Sequence, residues 1–169
     1  AQKPLQLVNG VFTQVEASLT SAGAADSGKI VALNGSGKVD NTMLPTAASF
    51  TATASEAIAA GALVNLYNNA GTINIRNADA SGGIAKKADG FAPNAIASGA
   101  TGEGDFDNSV ISGLSGLTVG AIYYLSGSTP GAITTTPPST ATYIVHRVGK
   151  AKSATELIFD VSSSPVVLA

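Results

Sequence analysis

Few side chains in this chain could do chemistry, and fewer still stand in useful company. His146 is the only histidine. A general base needs a nucleophile or a carboxylate within reach, but His146 falls inside YIVHRV (143–148), a stretch that alternates like a strand. There it is an ordinary strand residue that makes a hydrogen bond. Glu103, Asp105 and Asp107 lie close together in ATGEGDFDN (100–108) and would offer oxygen ligands to calcium. They lack the twelve-residue loop closed by a bidentate Glu, so the segment is expected to be a solvated acidic loop. Ser27-Gly28-Lys29 has the look of a phosphate loop, but Ile30 stands where a hydroxyl would hold magnesium. Serines are many, yet none sits in a Gly-x-Ser-x-Gly elbow between strand and helix. Tyr123-Tyr124 would stack a sugar only if both faced solvent. In a strand they point to opposite faces, so at least one belongs to a core or an interface. The expectation is a non-enzymatic protein with no catalytic residue, no cofactor and no metal site.

Composition narrows the partners. The net charge is -2 and the nine basic residues are scattered except for Lys86-Lys87, which gives no electrostatic footprint for nucleic acid. Zero cysteines exclude disulfides and thiolate metal sites. No apolar run approaches the ~20 residues of a membrane span, so no membrane partner is expected. The first ten residues, AQKPLQLVNG, lack the apolar core of a signal peptide; the chain is expected to be kept inside the cell or already processed. Charged residues make up 12% of the chain against about 25% in typical domains. Much of the surface must then be Ser, Thr, Asn, Ala and Gly, which suits extensive contact with other chains. With 169 residues, a chain of this length buries roughly 70% of its unfolded surface, enough for a real core.

The elements that would position these residues are strands. Residues 117–161 hold four with no helix: 121–125 with Ile122, Tyr123 and Tyr124; 132–136, stopped by Pro137-Pro138; 143–148; and 157–161. Turn formers separate them, Ser126 to Gly131 and Ser153 to Thr155. In 143–148 both faces carry apolar residues, so cover on both sides is expected. Upstream, 49–54 alternates weakly, 63–67 is a strand, Asn68-Asn69-Ala70-Gly71 a turn, and 72–76 returns with Ile73 and Ile75 inward and Asn74 and Arg76 in water. Residues 55–60 favour a loop over a helix because Gly61 follows at once. Residues 77–89 are expected as a surface loop and 91–97 as an edge strand interrupted by Pro93.

The N-terminal stretch differs. Leu5, Leu7 and Phe12 flank the hairpin signal Asn9-Gly10, and so short an arm must lay its apolar side chains on the body or on a partner. Gln14 to Thr20 alternates like a strand, and 28–33 with 38–40 is expected to close a hairpin over Asn34-Gly35-Ser36-Gly37. The fold expected is all-β: a compact antiparallel β-barrel or sandwich over 50–162, preceded by an extended N-terminal arm with a short hairpin (1–49) and followed by a C-terminal tail (163–169).

The run SGKIVALNGSGKVDNTMLP (27–45) resembles a segment found in structural proteins of tailed bacteriophages, ahead of a β-rich module. EAIAAGALVNLYNNAGTIN (56–74), then 76–90 and GLTVGAIYYLSGSTPGAI (116–133), look like the body of phage head-decoration (cement) and fibre-associated proteins. The resemblance implies a decoration protein on the capsid surface of the virion, made in the host cytoplasm. It implies a homotrimer that bridges subunits of the major capsid protein. Leu5, Leu7, Val8 and Phe12 would then lie on the shell or a neighbouring protomer, with Leu44 and Pro45 fixing the entry to the body. The alternative is a tail-fibre or receptor-binding component whose loops 77–89 and 100–108 touch a host glycan.

Overall fold

A computed structural model of the chain describes residues 5–8, 11–14, 17–20, 25, 27, 29–33, 35, 37–39, 43, 49–106, 109–160 and 164–169. The chain divides into two compact units, Ala1–Ala47 and Ala48–Ala169. Strands dominate both, and the fold is all-β.

In the first unit, β1 (Leu5–Val8) and β2 (Val11–Gln14) form an antiparallel hairpin. Val8 pairs with Val11 at the end of the ladder; the turn expected at Asn9-Gly10 lies outside the described residues. Next, β3 (Ala17–Ser18) and β4 (Ile30–Val31) pair in parallel, Ala17 with Ile30 and Ser18 with Val31. This replaces the hairpin expected over 28–40. Ile30-Val31 finds its ladder partner upstream, and Lys38 and Val39 belong to no strand. Turn residues mark where a chain can reverse but do not choose the partner.

The second unit opens with a small barrel. Its strands are β5 (Ser49–Ala54), β6 (Leu63–Asn69), β7 (Thr72–Asn77), β8 (Gly90–Phe91) and β9 (Thr101–Asp105), closed in the order β5-β7-β6-β8-β9. The pair β5 and β7 is parallel, Thr53 beside Asn74 and Ala54 beside Ile75, a departure from the all-antiparallel expectation. β5 takes the edge of β7 that the β6–β7 hairpin leaves open, and residues 55–62 carry the chain from β5 past β7 to β6.

A five-stranded barrel has a narrow bore, and its filling is accordingly small: Ala52, Ala54, Ile58, Val64, Ile75, Ala92 and Ile96. β9 occupies Thr101–Asp105 of the acidic loop expected over 100–108, of which 107 and 108 lie outside the described residues. Its glycines make that possible, since a Cβ on Gly102 would stand 2.4 Å from Ile96. Ile73 and Ile75 do share a face, but only Ile75 is buried; Ile73, near the turn, is 46% exposed. Asn74, expected in water, is buried instead between its ladder partners Thr53 and Tyr67. Residues 77–89 are no simple loop either. Ala80–Lys86 makes 3₁₀ turns interrupted at Gly83 (φ 65), capped by Asp79, and Ala78, Ala80 and Ala88 are buried.

The rest of the chain builds a five-stranded antiparallel sheet from β10 (Val110–Ile111), β11 (Ile122–Leu125), β12 (Ile133–Thr134), β14 (Arg147–Ala151) and β15 (Leu157–Phe159), after β13 (Ile144–Val145) in the chain, in the order β10-β15-β14-β11-β12. The four strands expected in 117–161 are present, the third split into β13 and β14. β16 (Val166–Val167), in the stretch expected to be a tail, pairs with β13. Within 143–148 only Ile144, His146 and Val148 are buried, while Arg147 is exposed, so cover comes from one side and not both.

That buried face meets Leu63 and Phe91 of the barrel strands in one core with Ile111, Leu125, Leu157 and Phe159. Phe91 and Phe159 touch edge to face at 5.4 Å between centroids, a geometry favoured by the ring quadrupoles. Barrel and sheet therefore share side chains.

Candidate functional site

The residues with chemical potential are mostly framework. His146 is 1% exposed, and its Nδ1 faces the Ala88 backbone N–H at 3.4 Å. It ties the junction of β13 and β14 to the segment after the 3₁₀ turns and offers no face to a substrate. Tyr123 is buried and its hydroxyl accepts the Thr118 N–H at 2.9 Å; Tyr124 is half-buried on the other face, as the strand geometry requires. Glu103 is exposed on β9, Asp105 takes a hydrogen bond from the Ser109 hydroxyl at 3.1 Å, and Asp107 lies outside the described residues.

The phosphate-loop spacing is better than Ser27-Gly28-Lys29 alone suggests, because Gly23 stands five residues before Gly28. The structural context fails all the same: Ile30 opens β4, where a phosphate loop would open a helix.

One polar network was not visible in the sequence. Asp89 accepts from Asn65 Nδ2 and from the Leu66 N–H, each at 2.9 Å, and pairs with Lys87. Arg76 donates from Nε to Asn65 Oδ1 at 2.9 Å and caps the Tyr67 ring at 4.4 Å. This cluster fastens the 3₁₀ segment to β6 and β7, with donors and acceptors matched.

Among the described residues, two surfaces stand out. The first is a cleft of ≈350 Å³ where the turns after β11 and β12 meet the start of β13. Seven of its ten lining residues carry a hydroxyl, and none carries a charge. The buried Ser126 hydroxyl accepts from the N–H groups of Ser128 and Thr129 at 3.2 and 3.1 Å, which fixes one wall. Pro137 and Pro138 stiffen another. Tyr143, half-buried, packs its ring where a Cβ on Gly127 would come within 2.7 Å.

The second is the N-terminal unit. Of its residues whose burial is described, none is buried. Val11, Leu19, Ile30, Val31 and Leu33 are 64%, 54%, 44%, 54% and 58% exposed. Among the contact residues the resemblance implies, Leu5, Leu7 and Val8 lie in β1 and Phe12 in β2, while Leu44 and Pro45 fall outside the described residues. Leu19, Ile30, Val31 and Leu33 were not singled out from sequence; their signal is an apolar residue in or beside a strand too short to make a core.

Comparison with known proteins gives one likeness. The chain is similar to the base of a phage head fibre. The match is to the crystal structure of the N base of head fiber gp8.5 in bacteriophage phi29, at 20% identity and a TM-score of 0.45, over 69% of this chain and 96% of that one. At that distance it is a similarity in kind, not a strand-by-strand correspondence. No family model matches the chain, and no curated protein does.

Proposed function

We propose that this chain is a non-enzymatic structural protein of a tailed-phage virion: a decoration protein that sits on the capsid surface as a homotrimer and bridges subunits of the major capsid protein. The observation that carries the reading is the bare apolar surface of the N-terminal unit. A unit of this size, without cysteines, is generally held together by a partner. Parallel strand pairs, moreover, are found with both faces covered, whereas Ala17, Ile30 and Val31 are all exposed in β3 and β4.

Cover for these residues comes from neighbouring copies of the same segment and from the shell. The likeness of residues 27–45 to segments of phage structural proteins supports a phage head as that shell. Threefold repetition multiplies weak contacts by avidity, which suits an arm whose individual contacts are small. The tail-fibre alternative draws on 77–89 and 100–108 as glycan-touching loops; their described residues hold the 3₁₀ turns of Ala80–Lys86 and the barrel strand Thr101–Asp105, and lend it less support.

Two measurements test the proposal. The mass of the isolated protein in solution is expected to be three times that of the chain. Imaging of particles carrying a tagged copy is expected to place the tag on the head. A monomer in solution, or a tag confined to the tail, would overturn it.

A further inference from the structure

We propose that the hydroxyl-lined cleft of the body binds a neutral saccharide, with the Tyr143 ring as its apolar platform. The cleft is lined by residues of the body alone, from Ser126 to Tyr143. Its volume, ≈350 Å³, lies at the lower end of small-ligand sites and suits roughly one or two sugar rings. With no Lys, Arg, Asp or Glu in the lining, a phosphate, a sialic acid or a metal ion finds no compensating charge there. A purely apolar ligand would strand the hydroxyls. A neutral polyol matches the remainder: its hydroxyls exchange hydrogen bonds with side-chain hydroxyls, and its C–H face lies against an aromatic ring.

The cleft is also built in advance. Ser126 and Thr134 spend their hydroxyls on the turns themselves, Ser126 on Ser128 and Thr129 and Thr134 on the Thr136 N–H at 3.1 Å. Thr136, Ser139 and Thr140 have no such bond from their side chains among the described residues, and all three are exposed. They are the groups left to meet a ligand. Tyr143 is held at both backbone ends: its N–H donates to Thr140 O at 3.2 Å and its C=O accepts from Leu168 N–H at 2.9 Å. Beside it, Thr142 keeps φ 73, unusual for a β-branched residue, and such strain tends to gather where a site must be shaped. Ordering is largely complete before a ligand arrives, which lowers the entropy lost on binding.

The test uses the full chain labelled with ¹⁵N and titrated with maltotriose, cellotriose, chitotriose, sialyllactose and inorganic phosphate. At least one neutral trisaccharide is expected to shift the amides of Gly127, Thr136, Ser139, Thr140 and Tyr143 and leave the barrel amides in place. Sialyllactose and phosphate are expected to leave all of them unmoved. The double variant Thr136→Val with Ser139→Ala alters only exposed side chains; it is expected to weaken binding at least tenfold with the melting temperature unchanged. If none of the neutral sugars moves these amides at about 10 mM, above the millimolar Kd of weak binding, the proposal fails. It also fails if phosphate or sialyllactose moves them more, or if the double variant binds as well as the parent. None of these outcomes bears on the shell, so this site and the decoration role stand or fall separately.

Discussion

At the scale of single residues, the groups that looked chemical turn out to secure the fold. His146 stands out in the sequence because it is alone, yet what occupies it is the N–H of Ala88, 58 residues away, a partner that no local pattern reveals. Replacing His146 with Ala empties a core site and strands that N–H, so we expect a loss of about 2–4 kcal/mol in urea unfolding. A loss under about 0.5 kcal/mol, the size of ordinary surface changes, would show that the histidine is not a core residue. Ala70 makes the opposite case. The loop between Asn69 and Thr72 holds Ala70 at φ 50 and Gly71 at φ 92, the signs of a two-residue turn in which both central residues have positive φ. Alanine is poorly suited to the first place and Asn is well suited. Ala70→Asn is therefore expected to stabilise by about 0.5–1 kcal/mol, read as a higher urea midpoint at constant slope.

At the scale of elements, the sequence was legible wherever pairing is local. The hairpin signal between Leu7 and Phe12 points to the β1–β2 pair, and Asn68 to Gly71 to the β6–β7 hairpin, because turn chemistry and alternation lie within a dozen residues of each other. Distant pairing was not legible. Nothing in Ser49–Ala54 names β7 as its parallel neighbour, and nothing in Ile30-Val31 names Ala17-Ser18. β9 was hidden for a further reason: its glycines and acids read as a loop, while the structure uses Gly102 as clearance for Ile96. Gly102→Val, a favourable strand substitution by propensity, is thus expected to destabilise by about 1–3 kcal/mol through overpacking. A gain in thermal stability would mean that the barrel is wider than described. The Asp89 network makes the same point with polar groups. Asp89→Ala removes acceptors from Asn65 Nδ2 and the Leu66 N–H together, and faster hydrogen exchange is expected first at Leu66 and across 80–88.

At the scale of the whole molecule, the two units divide the work. The body has two cores of its own, one in the barrel and one shared between barrel and sheet; the N-terminal unit, in its described residues, has none. This contrast could not be read from composition, which spreads small and apolar residues over both. It predicts that a chain lacking residues 1–47 melts cooperatively within a few degrees of the full chain, since the body loses no core. The central claim is that the bare surface of β4 and its surroundings docks the protein onto a shell. Co-sedimentation with undecorated head shells tests it most directly, comparing the parent with the triple variant Ile30→Asp, Val31→Asp, Leu33→Asp. The account predicts that the parent pellets with shells to saturation and that the variant, with its body still folded by circular dichroism, stays in the supernatant. Equal binding by both, or no binding by the parent, would contradict it.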